Sequence, residues 1–254
     1  MNSPFDLAGK DIWIIGGAGY LGQSCTRLLA ALGANVLCVD LPGKAAEFVN
    51  RELAVESVQA ADLDANDVDA VEEFASARPV PDALVVMTYG STAQRLEDLT
   101  AEEFDKANHG NLTATFVLAR AVGQRMANRG SGSVVLFSSM YGTVSPDPLA
   151  YHSPMVPNPI EYGVGKAGVQ QMARYLAVHW GRAGVRCNSI SPGPFPNPGV
   201  QQNVEFVARL KTKVPLGRVG EAPEIAGAVA FLVSEASSFV TGINLPVDGG
   251  WTAW

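Results

Sequence analysis

The chain has 254 residues and a mass of 26.7 kDa, and 47% of its residues are hydrophobic, enough to fill the core of a single α/β unit. A net charge of −7, with no run of about five like charges, excludes a general binder of nucleic acid or of an anionic membrane. Cys25, Cys38 and Cys187 sit in apolar runs and are too few for a disulfide framework. With no cationic leader and no apolar span of about 18 residues, the expectation is a reduced, cytoplasmic protein.

Residues 11–15 read as a buried strand, followed by a glycine-rich turn and a helix over 23–32 that stops at Gly33. Residues 35–39 form a second strand ending at Asp40. A helix over 45–52, a short strand over 55–60, a helix over 66–75 and a strand over 81–87 follow. Residues 101–129 are helical in two pieces, with Thr100 as N-cap and Glu103 completing a capping box. A strand over 133–138 precedes residues 143–161, which carry five prolines and read as a long functional loop. Then come a helix over 162–181, a strand over 185–190, a proline-rich turn over 192–198, a helix ending at Val233 and a last strand over 242–247. Continuous apolar strands alternating with helices predict a doubly wound parallel sheet covered on both faces. No domain boundary is visible, so residues 1–254 read as one dinucleotide-binding, Rossmann-type unit.

Gly16, Gly19 and Gly22 lie between a strand and a helix, where a tight turn lets backbone approach a pyrophosphate and the helix N-terminus offers unpaired N–H groups. Tyr20 and Leu21 share that turn. Asp40 is placed to accept bonds from an adenosine ribose and to repel a 2′-phosphate, which points to NAD. Asp62 either contacts adenine or caps its strand. Tyr162 and Lys166, four apart, face one side of a helix; a nearby ammonium favours a phenolate. Alone, that pair also fits a solvated helix face. Ser138 and Ser139, ending the preceding strand, place a hydroxyl at the edge where such sheets bind ligands.

Together these residues resemble the short-chain dehydrogenase/reductase family over nearly the whole chain. Asn188 to Gly193, Pro215 to Arg218 and Val247 to Gly250 match further family motifs. The resemblance implies a Rossmann-type sheet of seven parallel strands, an NAD cofactor and a homotetramer. It implies Tyr162 as acid/base, Lys166 as ribose ligand that lowers the Tyr162 pKa, Ser139 as substrate-orienting hydroxyl and Asn111 in a water and proton relay. Leu63, Pro192, Gly193 and Phe195 join the cofactor contacts, with Asn197 or backbone replacing a missing threonine. Tyr151, His152 and Asn197 are candidate substrate contacts, and residues 143–161 and 194–210 candidate substrate loops.

Three departures stand out. Tyr20 occupies a place where the classical branch has glycine, so the turn resembles the extended branch. Met87-Thr88-Tyr89-Gly90 replaces Asn-Asn-Ala-Gly, and the gap from Ser139 to Tyr162 is long. The reading is an NAD(H)-dependent oxidoreductase interconverting a secondary alcohol and a carbonyl, on a small sugar- or polyol-like substrate. The alternatives are a sugar-nucleotide epimerase or dehydratase retaining NAD, and a non-catalytic NAD-binding regulator. His109 and His179 read as helix-surface residues, and no ligand spacing indicates a metal. Trp251 and Trp254 fit either core or subunit packing.

Overall fold

The computed structural model describes residues 3–53 and 55–254; Met1, Asn2 and Ala54 lie outside the described residues. Seven strands, β1 (Asp11–Ile15), β2 (Asn35–Asp40), β3 (Val58–Asp62), β4 (Ala83–Val86), β5 (Gly132–Phe137), β6 (Val185–Pro192) and β7 (Asn244–Val247), form one parallel sheet in the order β3-β2-β1-β4-β5-β6-β7. The order reverses between β1 and β4. In open parallel sheets the crevice outside the C-terminal ends of the strands at such a reversal is where ligands bind.

The strands are apolar on both faces because helices cover both. On one face α3 (Val68–Ser76), α5 (Ala114–Arg129) and α6 (Ile160–Trp180) bury Trp13, Leu84, Leu118, Met126 and Leu136. On the other, α1 (Tyr20–Ala31) and α9 (Ala222–Val233) bury Ile12, Ile14, Leu29, Val85, Ile225 and Leu232. All three cysteines are free and buried. Burial pushes the Cys25 and Cys187 thiols up to about 12, which keeps them unreactive.

Several boundaries differ from the sequence reading. β3 begins at Val58 rather than residue 55, because pairing with β2 runs from Val36–Val58 to Asp40–Asp62 and leaves Val55 exposed. The long helical stretch divides into α4 (Ala101–Asn108), a wider π-helical turn at His109–Thr113, and α5. Thr100 caps α4 with the reciprocal Glu103 bonds that the motif predicts. Residues 194–210 are not a plain loop: they hold the short α7 (Pro198–Gln201) and most of α8 (Val204–Lys213). Phe206 and Leu210, one turn apart on α8, bury their side chains against Tyr141, Val214 and Trp251. Trp251 thus belongs to the core, whereas Trp254 is exposed.

Candidate active site

The turn after β1 is shaped by close backbone approach. Gly16 has φ +85°, a conformation disfavoured for residues with a Cβ, and its amide donates to the Val39 carbonyl at 2.8 Å. A Cβ on Gly22 would stand 2.1 Å from the Gly16 carbonyl oxygen, so the first turn of α1 can pack on the loop only without a side chain there. No side chain caps α1 and no acidic residue lies in its first turn, so its end keeps its positive character. Asp40, at the end of β2, accepts from the Ala18 amide at 3.1 Å and the Leu41 amide at 2.9 Å. Its carboxylate is thereby fixed beside the glycine turn. The cradle fits the diphosphate and adenosine ribose of a dinucleotide: bare backbone, free N–H groups and an oriented carboxylate converge. Tyr20 and Leu21 open α1 there.

Asp62 accepts from the Gly43 amide at 3.1 Å, bracing the left-handed turn before a short helix, while Leu63 is buried and donates its amide to the Asp40 carbonyl. Both therefore lie beside Asp40. Gly193 passes so close to Asp248 that a Cβ would come within 2.5 Å of its Cα, and Phe195 packs over Gly220. These contacts hold the Pro192–Gly193 turn at the end of β6.

Past the end of β5 the two serines diverge. Ser138 points into the protein, donating to the Lys166 carbonyl at 2.7 Å and accepting from Gln170 at 3.1 Å. Ser139 accepts from the Tyr141 amide at 3.1 Å and lies beside the Tyr162 hydroxyl, where its polar group favours the phenolate. That settles which serine faces the tyrosine. Lys166, one turn along α6, is buried and donates to the Thr88 carbonyl at 3.1 Å and the Phe137 carbonyl at 2.9 Å. Its Nζ lies 5.8 Å from the centre of the Tyr162 ring.

Burial lowers the Lys166 ammonium from an ordinary 10.5 to about 7, and burial raises the Tyr162 phenol. Ser139 works in the opposite direction and favours the phenolate, while Lys166 directs two of its three N–H groups to backbone carbonyls. The Tyr89 and Tyr151 phenols nearby oppose a second negative charge and push Tyr162 further up.

Asn111 is buried against the segment that follows β4. Its side chain donates to the Gly90 carbonyl at 2.7 Å and accepts from the Gly90 amide at 3.0 Å. One side-chain N–H and one oxygen lone pair of this buried residue thus brace the segment after β4. Met87 to Gly90, the stretch that departs from the family pattern, is therefore held from two sides, by Asn111 and Lys166.

Among the candidate substrate contacts, Tyr151 lies near Tyr162, shares a 2.7 Å hydrogen bond with Tyr141 and packs against Phe206 with ring centres 5.3 Å apart and planes tilted by 47°. His152 is exposed; Asn197 is exposed and caps α7 by accepting from the Val200 amide. The sequence reading missed Tyr141, Tyr89 and Glu161. Tyr141 is visible only through long-range packing, but Glu161, immediately before Tyr162, is a fully buried carboxyl whose adjacency was available in the sequence. Among the described residues, no cluster of three or more His, Cys, Asp or Glu side chains is arranged for a metal, and no helix is long and apolar enough to cross a membrane.

A family model described as enoyl-(acyl carrier protein) reductase matches residues 17–252. The chain is 31% identical to galactitol 2-dehydrogenase (L-tagatose-forming) of Cereibacter sphaeroides, over 98% of both proteins. Its fold matches a short-chain dehydrogenase from Leptospira borgpetersenii with bound NAD+, at TM-score 0.87 and 30% identity over 99% of this chain and 96% of the other. It also matches a gluconate 5-dehydrogenase from Burkholderia cenocepacia in complex with NADP and tartrate, at TM-score 0.87 and 27% identity over 99% and 98%. The chain belongs to the short-chain dehydrogenase/reductase family.

Proposed function

We propose that this protein is an NAD(H)-dependent oxidoreductase that interconverts a secondary alcohol and a carbonyl on a sugar- or polyol-like substrate. The observation that carries the reading is the Ser139–Tyr162 hydroxyl pair at the C-terminal edge of the sheet, with Lys166 one turn along the same helix. Gly16, Gly19, Gly22 and Asp40 would hold the cofactor, with Lys166 and the Pro192–Phe195 turn at its nicotinamide end. When bound, the nicotinamide supplies hydride acceptance and donation.

In this reading the Ser139 and Tyr162 hydroxyls bind the reacting oxygen together. A carbonyl oxygen placed there accepts from both. A substrate hydroxyl placed there gives its proton to the Tyr162 phenolate while Ser139 fixes its oxygen. Because the Ser139 oxygen already accepts from the Tyr141 amide, its own proton remains available to stabilise negative charge on Tyr162 or substrate. Tyr151, locked by Tyr141 and Phe206, supplies a polar wall suited to a hydroxyl-rich substrate.

The polyol relatives support the substrate class, and Asp40 supports NAD over NADP because its charge opposes a 2′-phosphate. Residues 143–161 and α8 together form the cover of the substrate side: Arg209 donates to the Ala150 carbonyl at 2.8 Å, and Lys213 pairs with Asp147. We also propose a homotetramer, in keeping with exposed Phe239, Val178, Tyr175 and Trp254. Turnover assays with NAD+ across sugars and polyols test the function. Oxidation of at least one secondary polyol alcohol is expected; no turnover on any alcohol or carbonyl, with NAD+ bound, would refute it.

A further inference from the structure

Glu161 is wholly buried, and its carboxyl is committed to one partner. One oxygen accepts from both the Thr92 amide at 3.0 Å and the Thr92 hydroxyl at 2.7 Å; the other has no partner. A half-paired buried carboxyl costs stability, so packing alone gives no reason for glutamate here. Its partner belongs to the segment 88–94, which leaves β4 and passes the mouth of the site. Thr88 receives Lys166, whose Nζ lies 5.8 Å from the Tyr162 ring centre; Gly90 is gripped by Asn111, and Tyr89 between them is 72% exposed.

Little else holds the far end of this segment. A cavity of about 900 Å³ opens against Tyr89, Gly90, Ser91 and Thr92, bounded opposite by Asn66 and Lys106, so one side of the segment is not packed. The next residue, Ala93, has φ +58°, a left-handed conformation that costs energy for alanine and persists only where neighbours impose it. The Glu161–Thr92 bonds, with the Gln94 amide donating to the Thr92 hydroxyl at 3.1 Å, impose it.

We propose that Glu161 is a positioning residue and Tyr89 the specificity-determining side chain that it positions: the buried carboxyl clamps Thr92, and so sets the Tyr89 phenol as one wall of the entrance to the Ser139–Tyr162 pair. This inference rests on the alcohol-oxidising reading above. Glutamine can accept the same two Thr92 bonds through its single carbonyl oxygen; alanine cannot. On this proposal Tyr89 meets the substrate, and it takes no part in the glycine turn or in Asp40's bonds, so its loss acts on substrate more than on the dinucleotide cradle.

The test combines kinetics with hydrogen exchange on the full-length protein. Tyr89→Ala and Glu161→Ala should each raise the KM for the preferred polyol by about tenfold, while kcat and the KM for NAD+ move far less. The double variant should be no worse than the more damaging single, because both remove one wall. Glu161→Gln should restore near-normal KM. The Thr92 amide should exchange at least about tenfold faster in Glu161→Ala, and at the parental rate in Glu161→Gln. Should Glu161→Ala fail to fold, Thr92→Val, which removes only the hydroxyl donor, should raise the same KM in the same direction. Multiplicative effects in the double variant, unchanged exchange at Thr92, or a Gln variant as impaired as Ala would overturn the inference. If the parent turned over no alcohol, the reaction and the part assigned to Tyr89 would both fall, while the exchange result would still decide the clamp.

Discussion

At single positions, steric and charge arguments give sharp outcomes. Gly22→Ala drives a Cβ toward the Gly16 carbonyl, so the turn must open; a stability loss of about 1–3 kcal/mol and weakened NAD+ binding are expected, read by thermal melts and NAD+ titration. Asp40→Ala removes the charge facing a 2′-phosphate without touching the turn's glycines. The ratio of kcat/KM for NAD+ over NADP+ should fall; a parent enzyme that prefers NADP+ would contradict the assignment. Ser139, Tyr162, Lys166 and Asp40 were legible in the sequence because each sits at a fixed offset from a strand end or helix start. What the sequence hid was how their polar atoms are spent. The Lys166–Thr88 and Asn111–Gly90 bonds join residues 78 and 21 apart, and no local pattern announces them.

Elements were legible where periodicity and caps agree. The Thr100–Glu103 box and the strands of the inner sheet follow directly from local chemistry. α8 escaped the sequence reading because it offers only two buried side chains, Phe206 and Leu210, to a partner that the chain reaches through the 143–161 segment and the C-terminus. The π-helical turn at His109–Thr113 escaped because nothing in its composition marks the wider winding; its use is to seat Asn111 against Gly90. Asn111→Ala removes both of those bonds and leaves the Gly90 groups unpaired. Urea unfolding should show a loss of about 1–3 kcal/mol, and kcat should fall with it as the Thr88 contact to Lys166 loosens. A variant of parental stability and activity would mean that the Gly90 brace is dispensable.

Across the whole molecule, burying Lys166 links stability to pH. Its folded pKa of about 7 lies below the ordinary 10.5, so between these values the unfolded chain binds more protons. The destabilising effect is complete below about pH 7 and disappears as pH rises toward 10.5. Relative to Lys166→Met, which has no proton to bind, the parent should therefore gain stability across that window, measured by denaturant titration at several pH values. The homotetramer predicts a light-scattering mass about four times the 26.7 kDa chain; a 26.7 kDa species alone at micromolar concentration would refute it. The central claim, that Tyr162 moves a proton at the carbon–oxygen bond of a secondary alcohol, is tested most directly by Tyr162→Phe. The ring and its packing stay, the proton-transfer group goes, and the cofactor cradle is untouched. NAD+ affinity should hold while kcat/KM for the preferred polyol falls by roughly 10²–10⁴-fold across the pH range. Near-parental kcat/KM at every pH would contradict the account.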